Sequence, residues 1–219
     1  MKKKQRQHDP CLITFEGIDG CGKTTQAMLA FRFLSGKGMK VKLLREPGST
    51  RISEQIRDIL LNRKNSMSDI TELLLYEAAR SEIVSREIAP LLASGHIILC
   101  DRFYDSTTAY QGYGRKLDIK MVRALHKVAT GNIAPDLTLL FDLDLKTAFS
   151  RRTQQLDRLE SQSKAFFNRV RRGFLEIARK ERRRVKVVDA ARPVKVIFAD
   201  VSRILTKKLK IDESISRSN

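Results

Sequence analysis

The chain has 219 residues, of which 42% are hydrophobic, and this is enough to bury one good core. We expect one domain over residues 11–210, a basic N-terminal tail over 1–10 and a frayed C-terminal tail over 211–219. No run of 18 apolar residues occurs, which argues against a membrane span. The formal net charge is +18, which is typical of proteins that bind nucleic acid or clustered phosphates.

The basic residues are concentrated late in the chain. Residues 151–187 contain 13 Lys and Arg against 4 Asp and Glu. Three interpretations remain open for this segment: a solvated basic helix face, a site for nucleotide phosphates near residues 151–158, or a nucleic-acid surface.

Strand-like and helix-like patterns alternate along the chain. We predict strands at 11–16, 41–44, 96–100, 137–142 and 185–189. We predict helices at 23–35, 50–61, 69–93, 105–111, 118–130, 145–155, 161–181 and 194–208. This alternation predicts an α/β fold in three layers, a five-stranded parallel sheet with helices on both faces. Ligands in such a sheet bind at the carboxyl ends of the strands.

The first predicted strand runs directly into a glycine-rich loop. Residues 17–24 fit the phosphate-loop pattern G-x-x-x-x-G-K-[ST] without a mismatch. Glycines let backbone N–H groups face phosphate oxygens, and the helix that follows adds partial positive charge at its start. Lys23 would neutralise the β- and γ-phosphates, and the Thr24 hydroxyl would hold Mg²⁺. The sequence therefore predicts a nucleoside-triphosphate site here.

Charged residues also follow two other strands. Arg45 comes after the strand at 41–44, and Asp101 and Arg102 come after the strand at 96–100. Two guanidinium groups at one sheet edge suit an anionic acceptor, although each could instead form an ordinary ion pair. Asp101 ends a strand beside the phosphate loop, where a carboxylate that holds Mg²⁺ through water belongs.

Two further segments could contact a nucleotide base or sugar. Tyr76 and Arg80 are spaced i, i+4 on one predicted helix, so a ring and a guanidinium share one face. The polar stretch at 105–112 offers hydroxyl groups at a helix start. Taken alone, the first segment also fits an ordinary amphipathic helix and the second a capped helix start.

The three cysteines are Cys11, Cys21 and Cys100, and their spacing is not that of a metal site. Cys11 and Cys100 fall in or beside apolar runs, so we expect both to be small core residues of a protein in the reducing cytoplasm.

Considered together, these segments resemble the bacterial thymidylate kinases. The resemblance is carried, in family order, by residues 15–26, Arg-Glu-Pro-Gly at 45–48, Tyr-Glu-Ala-Ala-Arg at 76–80, the Asp-Arg-Phe-Tyr-Asp-Ser-Thr stretch at 101–107, Ala-Tyr-Gln-Gly at 109–112, Pro-Asp-Leu-Thr at 135–138, Asp-Arg-Leu-Glu at 157–160 and residues 166–171. The phosphate loop is generic, whereas the combination of Arg-Glu-Pro-Gly, Asp-Arg and Tyr-Gln-Gly is highly specific.

The resemblance implies a P-loop nucleoside-monophosphate kinase fold and the reaction ATP + dTMP → ADP + dTDP. Arginines matching Arg45 and Arg102 hold the dTMP phosphate in this family. Tyr76 would stack on thymine, and Arg80 would reach a thymine oxygen. The implied dTMP-binding residues are Asp19, Arg45, Tyr76, Arg80, Arg102, Ser106, Thr107, Tyr110 and Gln111.

The resemblance also implies which residues bind ATP, the phosphoryl donor. The expected ATP-binding residues are Gly17, Ile18, Asp19, Gly20, Cys21, Gly22, Lys23, Thr24, Thr25, Arg152 and Ala191. The variable loop positions contain no arginine, and family members of that kind carry basic residues in a mobile lid. Here the lid covers about 151–160 and contains Arg151, Arg152 and Arg158.

The implied catalytic residues are Asp19, Lys23, Arg102 and Arg158, with Thr24 and Asp101 as Mg²⁺ ligands, partly through water. The implied partners are ATP, dTMP and a second copy of the chain, with no membrane and no specific nucleic acid. Two alternatives remain: a kinase for another nucleoside monophosphate, and a nucleic-acid-binding P-loop ATPase suggested by the charge.

Overall fold

A computed structural model describes residues 9–151 and 156–211, and within them five strands form one all-parallel sheet. The strands are β1 (Cys11–Glu16), β2 (Val41–Arg45), β3 (Ile97–Asp101), β4 (Leu137–Asp142) and β5 (Val185–Asp189), in the spatial order β2-β3-β1-β4-β5. The predicted fold class is confirmed, and each strand begins and ends within one residue of its predicted position. Residues 152–155 of the predicted lid and most of both predicted tails lie outside the described residues.

Helices connect consecutive strands of the sheet. The α-helices are α1 (Lys23–Gly36), α2 (Arg51–Leu61), α3 (Asp69–Ile83), α4 (Ala89–Ala93), α5 (Tyr104–Thr107), α6 (Ile119–Thr130), α7 (Leu145–Ser150), α8 (Lys164–Lys180) and α9 (Val194–Lys208). Side-chain caps fix several starts. Ser68, Asp118 and Asp144 each accept a hydrogen bond from a backbone N–H in the first turn of the helix that follows.

Three predicted helices differ from the structure in helix type or by more than a turn, and the helix predicted at 161–181 begins three residues later, at Lys164. The predicted helix at 69–93 contains a π-helical turn, Val84–Ile88, between α3 and α4. Pro90 near the start of α4 has no N–H for the α-helical ladder, and a wider turn before it accommodates its ring. The predicted helix at 105–111 is α5 followed by a second π-helical segment, Thr108–Gly114. The predicted helix at 145–155 ends at Ser150, and residues 152–155 of it lie outside the described residues.

The largest hydrophobic cluster lies between the sheet and the helices that cover it. β1 is buried along its whole length, and Phe15 stacks on Phe141 of β4 with ring centroids 6.0 Å apart. Cys11 and Cys100 are free and buried, as predicted, and Cys21 is free and buried as well. Among the helices of the described residues, none has the length and apolarity that crossing a membrane requires.

The carboxyl ends of β1, β2 and β3 are tied together at one sheet edge. The Glu46 N–H donates to the Asp101 carbonyl at 3.0 Å, and the Arg102 N–H donates to the Phe15 carbonyl at 3.0 Å. A cis bond joins Glu46 and Pro47 directly after β2. This edge therefore brings the phosphate loop, Arg45 and Arg102 together.

Candidate active site

The phosphate loop joins β1 to α1, and its shape depends on glycine at two positions in particular. Gly17 has φ 142°, and a Cβ placed on it would lie 2.6 Å from the Phe141 carbonyl oxygen. Gly22 caps α1 in the left-handed region with φ 85°. A side chain at either position would strain the turn that exposes the amides at the start of α1. Lys23 is the first residue of α1, and its Nζ donates to Asp19 Oδ1 at 3.3 Å.

Oxygen donors suited to a divalent cation lie beside the loop. The Thr24 Oγ1 donates to Asp101 Oδ2 at 2.5 Å, which joins the start of α1 to the end of β3. The other carboxylate oxygen, Asp101 Oδ1, is buried and has no hydrogen-bond partner among the described residues. A hydroxyl and an uncommitted carboxylate oxygen fit Mg²⁺, which prefers oxygen ligands and binds through few protein groups when phosphates are present.

Asp19 is the centre of a tight cluster next to the loop. Arg102 Nη2 donates to its Oδ1 at 2.5 Å, and the Tyr110 hydroxyl donates to its Oδ2 at 2.9 Å. Burial by itself would raise the pKa of Asp19, but Arg102 and Lys23 outweigh burial and hold that pKa well below its ordinary value. Asp19 is therefore ionised near neutral pH, and it fixes two cations beside the phosphate loop.

Arg102 occupies an unusual backbone position. Its φ is 72°, in the left-handed region that non-glycine residues rarely adopt. Its guanidinium also donates to the Gly17 carbonyl at 3.0 Å and to Ser106 Oγ at 2.9 Å. Backbone strain of this kind persists where surrounding contacts enforce it, and such positions cluster at functional sites.

A cleft opens beside this cluster on the α2 and α3 side of the sheet edge. It is lined by Asp19, Glu46, Pro47, Arg57, Leu61, Tyr76, Arg80, Arg102, Phe103, Ser106, Thr107, Tyr110, Gln111, Asp157 and Leu159. This lining includes every predicted dTMP-binding residue except Arg45. The structure thus brings together residues from three strand ends, from α2, α3 and α5, from the π-helical segment Thr108–Gly114 and from the predicted lid.

Arg45 lies next to the cleft rather than in its lining. Its Nη2 donates to both oxygens of Glu54, at 3.0 and 2.8 Å, and both side chains are substantially exposed. In this arrangement Arg45 forms the surface ion pair that the sequence left open as the alternative. Such exposed pairs hold an arginine weakly, at about 0–1 kcal/mol.

Arg57 of α2 is a cleft residue that sequence reasoning missed. Its Nη1 donates to the Pro47 carbonyl at 3.0 Å. Burial and the nearby Arg45 and Arg102 lower the pKa of Arg57, so three guanidinium groups act on one another at this end of the cleft. The missed signal is helical spacing: Arg57 lies four residues from Ser53, which is buried, and from Leu61, which lines the cleft.

Arg80 is fully buried at the cleft wall, with all three guanidinium nitrogens engaged. Its Nε donates to Glu46 Oε2 at 2.9 Å, its Nη1 to Glu77 Oε1 at 2.7 Å and its Nη2 to Thr107 Oγ1 at 2.9 Å. Burial alone would lower the pKa of Arg80, but the two carboxylates raise it above its ordinary value. Arg80 is thus a fixed cation, and half-buried Tyr76 lies one helical turn before it.

Glu16 of β1 accepts two hydrogen bonds that fix the polar segment after β3. The Phe103 N–H donates to Glu16 Oε1 at 2.7 Å, and Ser106 Oγ donates to Glu16 Oε2 at 2.5 Å. Burial and the nearby Asp105 raise the pKa of Glu16 to about 8. Asp105 is in turn bound through both oxygens by Arg184, at 2.6 and 2.8 Å. Arg184, one of the basic residues of the 151–187 segment, thus has a structural partner.

Residues 156–160, the described part of the predicted lid, pack against α2 and α3. Arg158 Nη1 pairs with Glu72 Oε2 at 2.6 Å, and its Nε donates to the Leu60 carbonyl at 2.7 Å. Glu72 also binds Gln111 at 2.7 Å and Arg115 at 2.9 Å. Asp157 and Leu159 line the cleft, whereas the Arg158 guanidinium lies against Glu72. Arg152, predicted to bind ATP, lies outside the described residues.

Ala191 lies in the turn after β5, which contacts the helix that follows the phosphate loop. Gln26 of α1 donates through Nε2 to the Val194 carbonyl at 3.0 Å. Arg151 donates to the Ala190 carbonyl at 3.0 Å. Arg151 at the start of the predicted lid and Gln26 of α1 therefore both contact the segment that follows β5.

These features define a P-loop phosphotransferase: a phosphate loop after the first strand, a Thr–Asp pair for a divalent cation, and an adjoining cleft rich in guanidinium groups. The chain belongs to the thymidylate kinase family, because the family's sequence model, described as thymidylate kinase, matches residues 15–201. It is a kinase of the P-loop nucleoside-monophosphate type, as the sequence predicted.

Individual relatives agree with this assignment. The chain is 41% identical to the thymidylate kinase of Chlorobium luteolum over 91% of its length and 98% of the relative's. It is 45% identical to that of Symbiobacterium thermophilum over 90% of its length and 93% of the relative's. The crystal structure of thymidylate kinase from Ehrlichia chaffeensis is similar, with a TM-score of 0.75 and 34% identity over 90% of this chain and 98% of that one.

Proposed function

We infer that this protein transfers the γ-phosphoryl group of ATP to dTMP and releases ADP and dTDP, a step in the supply of dTTP. The observation that carries this inference is the cleft beside the phosphate loop. Its lining combines guanidinium groups for an acceptor phosphate with a ring, an arginine and amide and hydroxyl groups for a base and a sugar. Membership of the thymidylate kinase family supports the same acceptor.

On the donor side, residues 17–25 bind the ATP phosphates. Lys23 neutralises charge that shifts from the γ- to the β-phosphate as the bond between them breaks. Asp19 orients both Lys23 and Arg102, as their hydrogen bonds to its Oδ1 support. Ala191 and Arg152 contribute to ATP binding.

The acceptor phosphate binds between Arg102 and Arg45, with Arg57 as a third cation. One acceptor phosphate oxygen attacks the γ-phosphorus of ATP, and the bond to the β–γ bridging oxygen breaks with its electrons leaving on ADP. Because the attacking oxygen is already anionic, no general base is required. Catalysis rests on bringing two anions together and offsetting their repulsion.

The base and sugar are held by the rest of the cleft. Tyr76 stacks on thymine, and Arg80 donates to a thymine oxygen. Ser106, Thr107, Tyr110 and Gln111 line the base and deoxyribose. The fixed position of Arg80, bonded to two carboxylates and Thr107, supports this role because a rigid donor discriminates between bases better than a mobile one.

Mg²⁺ would be held by Thr24 and Asp101, partly through water, and would neutralise charge on the ATP phosphates when bound. The uncommitted Asp101 Oδ1 supports this assignment. The Thr24 and Asp101 side-chain oxygen atoms lie 2.5 Å apart, which places both at one point beside the loop.

Arg158 is the catalytic arginine of the lid at 151–160. It reaches the transferred phosphoryl group when the lid closes and its pair with Glu72 opens. Closure also excludes water that would otherwise hydrolyse ATP.

The protein acts in the cytoplasm as a homodimer of one-domain chains, with 11–210 as the domain and the segments at 1–10 and 211–219 as tails. Exposed apolar side chains on three helices that pack together, Ile59 of α2, Leu74 of α3 and Val128 of α6, support self-association. Sedimentation equilibrium checks this, and a concentration-independent monomer mass contradicts it.

Nucleic acid is not a specific partner. Many basic residues of the 151–187 segment are already committed within the fold, such as Arg171 to Asp142 at 2.7 Å and Arg184 to Asp105. Residual binding to DNA should fade steeply between low and physiological salt, as counterion release predicts. DNA-stimulated ATP hydrolysis, or binding that persists at about 200 mM salt, would favour the ATPase alternative.

A coupled assay of ADP release tests the proposed acceptor. ATP and Mg²⁺ are held at saturation, and dTMP, AMP, CMP, GMP and UMP are compared as acceptors. We expect dTMP to give the highest kcat/KM. Equal or greater stimulation by any of the other monophosphates contradicts the proposal and favours a kinase for a different acceptor.

A further inference from the structure

His126 of α6 is a buried titratable residue that the proposed chemistry does not use. Its Nδ1 lies 2.8 Å from Glu77 Oε1, and its Nε2 lies 2.8 Å from Thr108 Oγ1. The ring stacks on Tyr104, with centroids 5.2 Å apart and planes 15° from parallel. Both ring nitrogens and one ring face are therefore fixed, which leaves the imidazole a single orientation.

Glu77 links His126 directly to Arg80. The Oε1 atom that faces His126 also accepts from Arg80 Nη1 at 2.7 Å. The second oxygen, Oε2, is buried and has no hydrogen-bond partner among the described residues. The Glu77 carboxylate is thus held through two contacts at Oε1, one with His126 and one with Arg80.

The hydrogen-bond pattern selects the form of the imidazole. Glu77 can only accept, so Nδ1 carries a hydrogen, and Nε2 can then accept from the Thr108 hydroxyl. Burial lowers the pKa of His126 even though the neighbouring Glu77 acts in the opposite direction. The charged groups around it are Glu77, Arg80 and Asp105.

We propose that His126 is a positioning residue for the acceptor base: by donating to Glu77 it fixes the carboxylate that aligns Arg80 at the cleft. This rests on the proposed function, in which Arg80 contacts thymine. Removing the imidazole leaves Glu77 Oε1 with one donor in a buried site, so the carboxylate and the guanidinium bonded to it can shift. A small displacement of a charged donor weakens base binding without touching the transferred phosphoryl group.

The test compares three substitutions of His126 with a matched histidine elsewhere. His126→Ala removes both contacts. His126→Asn keeps an N–H donor near the Nδ1 position, and His126→Gln places its amide nearer the Nε2 position. His96→Ala is the control, because His96 bonds Ser94 at 2.9 Å and is not in the cleft lining. Thermal melting of each variant accompanies steady-state kinetics for both substrates.

We expect His126→Ala and His126→Gln to raise the dTMP KM about tenfold, the change that one weakened hydrogen bond to a charged group produces. The ATP KM and kcat should stay near wild type, since loss of uniform acceptor binding changes KM alone. His126→Asn should recover most of the affinity, and His96→Ala should change nothing. If His126→Ala does not fold, the dTMP KM of His126→Asn is compared with that of His126→Gln instead.

Arg80→Ala decides whether His126 acts through Arg80. Residues that act as one unit are not additive, so adding His126→Ala to Arg80→Ala should not raise the dTMP KM further. The inference about His126 is wrong if the two substitutions raise the dTMP KM additively, or if folded His126→Ala and His126→Gln have a wild-type dTMP KM. Either result leaves the proposed function intact. An unchanged dTMP KM in Arg80→Ala itself overturns both the proposed thymine contact and the inference built on it.

Discussion

The donor and acceptor halves of the site are built in opposite ways. The donor half is a single run of backbone, in which Gly17 and Gly22 permit a turn and Thr24 lies exposed at the start of α1. The acceptor half is an assembly of buried side chains, with Arg80 bonded to Glu46 and Glu77 from separate elements. A phosphate is held by amides and a helix terminus, whereas a particular base requires donors at fixed positions.

This difference has an energetic consequence. Burying an unpaired charge costs several kcal/mol, so the acceptor half is stable only while its charges remain paired. The donor loop has a smaller and partly exposed network, in which the Asp19 side chain is 26% exposed and pairs with Lys23 and Arg102. Substitutions in the loop should therefore change catalysis with little effect on stability, whereas substitutions around Arg80 should change acceptor affinity and stability together.

Substitution of the lid arginines should give the largest loss of kcat. It tests which arginine acts on the phosphoryl group as it passes from the donor half to the acceptor half. Arginines that stabilise phosphoryl transfer contribute about 10³–10⁵ in rate in other P-loop enzymes. We expect Arg158→Ala to lower kcat by an amount in that range at saturating substrates, with Arg152→Ala near wild type. Near-normal kcat in Arg158→Ala, with the loss found in Arg152→Ala, would leave Arg158 as an anchor on Glu72 and assign catalysis to Arg152.

Lys23→Ala tests the donor half. Removing one group that stabilises developing charge costs about 10²–10³ in kcat, and we expect a loss of that size. The melting temperature should be nearly unchanged, because the Lys23 contact to Asp19 at 3.3 Å is long and Arg102 remains on that carboxylate. Lys40→Ala, at an exposed position before β2, is the control. A Lys23→Ala enzyme within about tenfold of wild type would exclude the loop as the catalytic site.

Arg80→Ala tests the acceptor half. The loss of a charged hydrogen bond is worth about 1.5–3 kcal/mol, which corresponds to a rise of about 10- to 150-fold in the dTMP KM. The ATP KM should not change, because Arg80 has no contact with the phosphate loop in the described structure. Steady-state kinetics with each substrate varied in turn provide the measurement. A raised ATP KM with an unchanged dTMP KM would reverse the assignment.

The smallest expected effect concerns Glu46 and Glu54, whose pKa values shift in opposite directions. Their contributions to stability should therefore change with pH in opposite directions. Burial raises the pKa of Glu46 from its ordinary 4.5 to about 7, although Arg80 acts in the opposite direction. The folded state therefore binds more protons than the unfolded state across that window, and the stability from this carboxyl falls as pH rises through it. Glu46→Gln should gain stability relative to wild type between pH 5 and pH 8.

Glu54 is the matched comparison because its pKa shifts the other way. Burial alone would raise it slightly, but the Ser49 N–H and Arg45 lower the pKa of Glu54 below its ordinary value. Its contribution is present above that value and is lost as pH falls, so Glu54→Gln should lose a little stability relative to wild type at neutral pH. Urea unfolding at several pH values measures both, and parallel profiles for the two variants would contradict this account.

The sequence predicted the local parts of this architecture well. The loop at 17–24 is contiguous, the alternation of elements defines the sheet, and the i, i+4 spacing places Tyr76 and Arg80 on one helix face. The partners of these residues were not predictable in the same way. Glu46 and Arg80 are 34 positions apart, and Arg158 and Glu72 are farther apart still, so pairing depends on how helices pack. Arg57 was missed because a basic residue on a surface helix usually faces water.

Transfer of a labelled phosphoryl group tests the central claim most directly. The enzyme is incubated with [γ-³²P]ATP, Mg²⁺ and dTMP, and the products are separated by chromatography. The account predicts that the label moves into dTDP, that its rate of transfer depends on dTMP, and that little labelled inorganic phosphate forms. Label released mainly as inorganic phosphate at a rate independent of dTMP, or accelerated by DNA, would contradict the account and identify an ATPase instead.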